Sequence, residues 1–395
     1  MQTFYLYIED NPKGEKEKMK LQRVVLFYSV LVSVALAITA CGPQATPMAT
    51  SAPATQAPVA TSAPATQAPT GTTAAACDKS TGFTVYSAMG YDGDVTKAFQ
   101  AATGINTKLV DDSTGNLLAK IAAEGNNPQW DVVWFDGNVT MQQLDDQGVL
   151  MKWQSPSVSN YTSLGAKYVA ADGSYYPTGL TTVGAIAYNL NHVPAAGLPK
   201  DWNDLLNPAY KDLVAMNDPA YSGPTYPLVA GIAQLMGSED AGKAYFIKLK
   251  ANGLKNFQTN DPTLSSVETG AREFGMVQDS AIYGAITAGQ PLGIIYPASG
   301  VIGLPGVISV SAASQHAACA QQFVNWVLTA DGGQKAMINH DPTDGDTYFI
   351  PLISGVTDIV KRQTTGINYI DLDLHKWASV EPELKQWFQD NIIAK

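Results

Sequence analysis

Three short segments place small hydroxyl residues and glycine where a strand or loop gives way to a helix. Ser87-Ala88 closes a strand pattern at 83–87. Ser113-Thr114-Gly115 precedes a helix pattern carrying Leu117, Leu118 and Ile121, and Ser222-Gly223-Pro224 precedes an apolar helix pattern reaching Met236. Free amides at a helix start, with a hydroxyl beside them, suit a phosphate or carboxylate. Plain N-capping, about 1 kcal/mol each, accounts equally well for each segment taken singly. Facing each other across one cleft, the segments would contact an anion twice. A second set of residues has the opposite chemistry. Asp92, Asp94, Asp136 and Asp279 fall near strand ends, and Trp134, Tyr221 and Tyr226 could box an ammonium group. The candidate ligand contacts are Ser87, Ala88, Ser113, Thr114, Gly115, Asp136, Ser222, Gly223, Tyr226 and Ser280.

Catalytic constellations are missing from the sequence. There is no G-x-S-x-G elbow, Walker loop or zinc motif, and His192, His316, His340 and His375 form no HxH or HExxH pair. Asp341-Pro-Thr-Asp344-Gly345-Asp346 is similar to a calcium loop in composition only; its spacing is wrong, and it reads as a polar surface turn. The expectation is a protein that is not an enzyme, with no cofactor and no metal. A tethered extracellular hydrolase, built on scattered carboxylates, is the remote alternative.

Composition narrows the class. The chain has 395 residues, 45% of them hydrophobic and only 15% charged, with a net charge of −11. That length exceeds one average domain and predicts two lobes. No dense Lys/Arg run exists to track a phosphate backbone, which excludes nucleic acid as a partner. Three cysteines are too few for a disulfide scaffold. Cys77 and Cys319 can pair in an oxidising compartment, or Cys319 can serve as a small core residue; the sequence leaves both open.

The first 40 residues read as a targeting segment. An apolar run at 24–38, preceded by Lys20 and Arg23, has the length of a signal-peptide core rather than a membrane span. Ile38-Thr39-Ala40-Cys41-Gly42 then resembles a bacterial lipobox, with Cys41 as the lipidated mature N-terminus. Two acyl chains are what stable anchoring requires. ATSAPATQAPV at 49–59 and ATSAPATQAPT at 60–70 form an eleven-residue repeat. It carries no charge and no large apolar face, so burial cannot offset ordering, and it reads as a disordered tether over 41–80.

The folded part starts near Thr81. The spacing predicts strands at 83–87, 105–110 and 130–135, separated by helices ending at Gly104, Gly125 and Gly148. That alternation demands a parallel sheet with right-handed crossovers, and ligands at the carboxyl ends of its strands. Further strands are predicted at 213–216, 274–278 and 292–296, with helices over 280–288 and 316–328.

These pieces together resemble the extracytoplasmic solute-binding lipoproteins of ABC importers, in the branch holding ferric-iron and phosphonate importers. The carrying segments are Val85-Tyr86-Ser87-Ala88, Leu117-Leu118-Ala119-Lys120-Ile121, Trp130-Asp131-Val132-Val133-Trp134, Trp202-x-Asp204-Leu205-Leu206-x-Pro208 and Phe323-Val324-Asn325-Trp326-Val327-Leu328. The resemblance implies an α/β, two-lobed type 2 periplasmic-binding-protein fold, with mostly parallel sheets flanked by helices and two crossover strands forming a hinge. The crossovers should lie near 176–188 and 299–311. Residues 81–180 would begin lobe 1, 181–300 would form lobe 2, and 301–395 would return to lobe 1 and add C-terminal helices. Ser222-Gly223 matches a Ser-Gly anion pair of that branch. The adjacent tyrosines of ferric-binding relatives should fall near Gln278-Asp279-Ser280-Ala281, where this chain has none, which argues against iron. The expected function is capture of a small solute, anionic by this reading, such as a phosphonate or phosphate ester. Ferric iron and polyamines are the alternatives within the fold. The implied partners are an ABC permease and its ATPase, with a monomer held outside the cytoplasm by its lipid anchor.

Overall fold

The structure, a computed structural model, describes residues 76–394 apart from Thr364. The apolar run at 24–38, Cys41 and the repeat lie outside the described residues. Ten strands form one sheet: β1 Phe83–Ser87, β2 Thr107–Asp111, β3 Val132–Asp136, β4 Tyr176–Asn189, β5 Val214–Asn217, β6 Lys255–Phe257, β7 Phe274–Gln278, β8 Leu292–Ile295, β9 Val301–Val310 and β10 Tyr369–Ile370. The main path runs β2-β1-β3-β9-β4-β7-β5-β6. The outer ladders, β1 with β2 and β3, and β5 with β6 and β7, are parallel. Antiparallel pairing is confined to the two long strands β4 and β9 and their partners.

β4 and β9 occupy the segments predicted as crossovers and join the two lobes. The first half of β4 pairs with β9, and the second half with β7 and β8. The register slips at Gly184, whose φ of 89° a side chain would resist. The strand thereby turns from one lobe into the other at its middle.

Helices cover both faces. The first lobe carries α1 Asp92–Thr103, α2 Thr114–Glu124 and α3 Asn138–Asp146; the second carries α4 Thr225–Leu235, α5 Glu239–Ala251, α6 Asn260–Glu268 and α7 Asp279–Thr287. After β9 come α8 Ala317–Val327, α9 Leu374–Ser379 and α10 Glu381–Phe388. α1 buries Val95 and Phe99 and stops at Gly104, with φ 72°, as its sequence predicts. Phe83, Phe99 and Phe323 meet with ring centroids 5.1–5.9 Å apart and hold β1, α1 and α8 together.

The C-terminal helices pack largely against the second lobe. Trp377, Leu384 and Phe388 join the second lobe's core, with the Phe388 ring 5.3 Å from that of Phe246. Glu381 of α10 is buried, pairs with Lys385, and accepts a 2.9 Å hydrogen bond from Thr140 of α3 in the first lobe. This segment therefore touches both lobes.

Cys77 and Cys319 form a disulfide, linking the start of the described chain to α8. Among the described residues no helix is long and apolar enough to cross a membrane.

Candidate functional site

The carboxyl ends of β1, β2 and β7 open into a cavity of about 680 Å³ between the lobes. The first lobe contributes Ala88, Met89 and Gly90 after β1, and Asp111, Asp112 and Ser113 after β2. The second contributes the start of α6 and one face of α7. The loop 341–347 enters from the side, bringing Asp344, Gly345 and Asp346. A Cβ on Gly345 would lie 2.5 Å from the Cα of Ala281, so only glycine lets this loop reach α7.

The cavity lining is acidic. Asp111, Asp112, Asp261, Glu268, Asp344 and Asp346 line it, and no lysine, arginine or histidine does. Asp346 is half-buried and bridges the lobes: one carboxylate oxygen accepts from the Gly90 amide at 2.7 Å, the other from the Gln278 side-chain amide at 3.0 Å. Burial and the neighbouring Asp344 push its carboxyl up to about 6, against the pull of those two donors. Asp136, 6% exposed at the end of β3, is raised well above the usual carboxylate range by burial and by Asp346 and Asp344. Asp92, 2% exposed at the start of α1, is raised to about 7 by burial, opposed by the Ser87 hydroxyl and reinforced by Asp111. Burial acts against a charge on His340, but contacts to Asp94 at 2.8 Å and Asp344 at 3.1 Å raise its pKa overall.

The raised Asp92 has a consequence for stability. An acid whose folded pKa exceeds its unfolded value holds more protons in the native state, so stability falls as pH rises from about 4 to about 7. Asp92→Asn removes the titration and keeps a partner for Ser87. The variant is expected to exceed the parent in stability by a few kcal/mol at pH 8 and to lose that margin towards pH 4. Denaturation midpoints at the two pH values check it; a margin independent of pH refutes it.

Nine of the ten predicted contacts fall into three groups. Ala88 and Ser113 line the cavity. Ser113 also caps α2, accepting the Asn116 amide at 3.3 Å. Ser87, Asp136 and Ser280 are buried, Ser87 beside Asp92 and Asp136 beside Asp346. The Ser280 Oγ has no hydrogen-bond partner. Thr114, Gly115, Ser222 and Gly223 do face each other across the lobes, but in direct contact. A Cβ on Gly223 would lie 2.5 Å from the Thr114 Oγ1, and one on Gly115 would lie 1.9 Å from the Ala220 carbonyl oxygen. The Ser222 Oγ accepts from the Asn217 side-chain amide at 3.2 Å. This closed seam has no room for an anion between the two helix starts.

Tyr226 is a correction. It is wholly buried in the second lobe's core and its hydroxyl donates to the Trp377 carbonyl. The predicted ammonium box does not assemble either. Trp134 is core, its indole N–H donating to Thr178 at 3.0 Å, and Asp279 is held by the Thr182 amide, the Tyr296 hydroxyl and Arg362. The turn at 341–346, read as plain surface, instead enters the cavity. Three aspartates around a glycine, in a chain with few charges, were the available signal.

A family model described as bacterial extracellular solute-binding protein matches residues 94–364. An uncharacterized protein of Haemophilus influenzae is 25% identical over 316 residues, covering 76% of this chain and 87% of that one. A putative 2-aminoethylphosphonate-binding periplasmic protein of Salmonella paratyphi A is 28% identical over 178 residues, 43% of this chain and half of the relative. Among solved structures, the periplasmic binding protein AfuA of Actinobacillus pleuropneumoniae, with fructose 6-phosphate bound, superposes with a TM-score of 0.70. It is 22% identical, and the match covers 80% of this chain and 99% of AfuA. That likeness establishes the two-lobed fold with its crossing strands, and the family match extends over well more than half of the sequence. The chain belongs to the bacterial extracellular solute-binding protein family.

Proposed function

We propose that this protein is the solute-binding component of an ABC importer, and that the solute it captures between its lobes carries a positive charge. The observation that carries the charge assignment is the cavity lining: six carboxylates and no basic side chain. A phosphate or phosphonate brought there would meet six carboxylates and no basic side chain, with the helix-start amides of the anion reading closed against the other lobe. Among the described residues no group of three or more His, Cys, Asp or Glu side chains is placed to hold a metal ion, which favours an organic cation over ferric iron.

In this reading the protein works as a monomer, tethered outside the cytoplasm through Cys41, and hands its closed form to the permease and ATPase. The lobe bounds 81–180 and 181–300 are retained, and the C-terminal helices serve both lobes.

A thermal-shift screen tests the charge. The panel holds putrescine, spermidine, thiamine, phosphate, fructose 6-phosphate, ferric citrate, and 2-aminoethylphosphonate beside ethylphosphonate. A ligand at a hundred times its dissociation constant adds about 2.7 kcal/mol, a shift of several degrees. Hits are expected only among compounds carrying an amine or another organic cation. A hit with ethylphosphonate equal to that with its amino analogue, or hits confined to phosphates, would overturn the assignment.

A further inference from the structure

We propose that the loop 341–347 is a clasp. It ties the two lobes to each other without a solute, so the free protein is biased towards its closed form and a solute reaches the cleft only as the clasp releases. The inference uses the two-lobed fold and the contacts of this loop, and it holds whatever charge the solute carries.

The loop is an arm of the first lobe. It lies between Met337 and Phe349, both buried in that lobe's core. His340, just before it, contacts Asp94 of α1 at 2.8 Å and Asp344 of the loop at 3.1 Å. The loop also braces itself. The Asp346 amide donates to the Asp344 carboxylate at 2.9 Å, and the Tyr348 hydroxyl donates to the Pro342 carbonyl at 2.6 Å. The arm therefore owes its shape to the first lobe and to its own bonds.

Its tip is seated on the second lobe, and glycines make the seat. A Cβ on Gly284 of α7 would lie 3.0 Å from the Gly345 Cα, and one on Gly345 would lie 2.5 Å from the Ala281 Cα. Loop and helix thus meet backbone to backbone, an approach that side chains at these positions would prevent. On the first-lobe side, a Cβ on Gly90 would lie 2.2 Å from the Asp344 Oδ2. The loop fills the space between α7 and the turn after β1.

Asp346 fastens the clasp. One carboxylate oxygen accepts from the Gly90 amide of the first lobe at 2.7 Å, the other from the Gln278 side-chain amide of the second at 3.0 Å. Gln278 ends β7 and is 1% exposed, so its bond is sheltered from competing water. Parting the lobes about the crossing strands must either break this bond or pull Met337 and Phe349 from a packed core, and the single bond is the weaker link. A hydrogen bond to a carboxylate is enough to move a two-state equilibrium about tenfold.

Small-angle scattering and hydrogen exchange of the purified chain, with no solute added, test the clasp. Gln278→Leu removes the second-lobe donor and leaves every side chain that lines the cavity in place. Asp346→Ala removes both bonds. Each variant is expected to show a larger radius of gyration than the parent, and amide exchange over 341–347 is expected to quicken roughly tenfold in Gln278→Leu. Unchanged melting temperatures would show that both lobes remain intact. Scattering curves of both variants that superimpose on the parent's, with unchanged exchange in the loop, would overturn the clasp. Opening by Asp346→Ala alone would overturn the link to the second lobe and leave the loop fastened to Gly90 only. The measurement contains no solute, so its failure is distinct from a failure of the charge assignment, which the thermal-shift panel reads.

Discussion

Gly115→Val is expected to hold the lobes apart and to weaken ligand capture roughly a hundredfold, about 2.7 kcal/mol. Gly115 is the second residue of α2 in the first lobe, and its amide donates to the Tyr221 carbonyl of the second at 3.4 Å. A Cβ there would lie 1.9 Å from the Ala220 carbonyl oxygen and 3.2 Å from the Tyr221 Cα. All of these are backbone atoms, so no side chain can swing aside; the contact is relieved only by separating the lobes. Capture depends on closure, and a ligand must then work against that separation. Neither lobe's own core is disturbed, so the melting temperature should barely change. Small-angle scattering should show a larger radius of gyration than the parent, with no contraction on adding a ligand that contracts the parent. Gly93→Ala is the control, since nothing lies within 4 Å of a Cβ at that position. Scattering curves for Gly115→Val and the parent that superimpose would refute the seam's role in closure.

Breaking the Cys77–Cys319 bond is expected to cost about 3–5 kcal/mol of stability. The two cysteines are 242 residues apart, so the crosslink closes a loop over more than half of the unfolded chain, and loop-closure entropy puts such a bond at the upper end of the usual range. For a domain this large the loss corresponds to a fall of roughly 4–8 °C in melting temperature. Calorimetry with and without reductant, and of Cys319→Ser, measures it. Cys319 is 1% exposed within the first lobe's core, so serine adds a small packing loss that reduction alone does not. Equal melting temperatures in oxidised and reduced protein would show that the bond contributes nothing to the folded state.

Much of the framework was legible in the sequence because it is locally encoded. The five residues Phe274–Gln278 form the predicted strand, α1 ends at the predicted Gly104, and the long apolar segments near 176–188 and 299–311 are the crossing strands. The strand and the helix stop depend on periodicity and stop signals within a few residues, whereas the crossing strands were expected from the order of pieces that the family resemblance implies. Tyr226 was misplaced although local information was sufficient. α4 is buried on nearly every face, and a helix apolar all round belongs in a core rather than at a cleft. The acidic loop is a different case. Asp346 gains its importance from Gly90, which lies 256 residues away in the chain, and from Gln278. No local pattern encodes that meeting; it follows from α8 and the loop returning across the mouth of the sheet. The closed seam between Gly115 and Ala220 is equally non-local: it shuts two helix starts against each other, while the Ser113 and Ser222 hydroxyls are taken by Asn116 and Asn217 of their own lobes.

The position of the disulfide also decides how the domain bears a pull. The chain enters the described structure at residue 76, and Cys77 is bonded to α8 before the first strand begins. A force applied upstream is therefore carried by a covalent link into the helix whose Phe323 packs against Phe83 and Phe99. β1 lies downstream of that link and is shielded from peeling, although it pairs with both β2 and β3 and supplies Ala88 to the cleft. In reducing surroundings the same pull would load β1 directly, and the cavity wall that β1 supports would be the first part to yield.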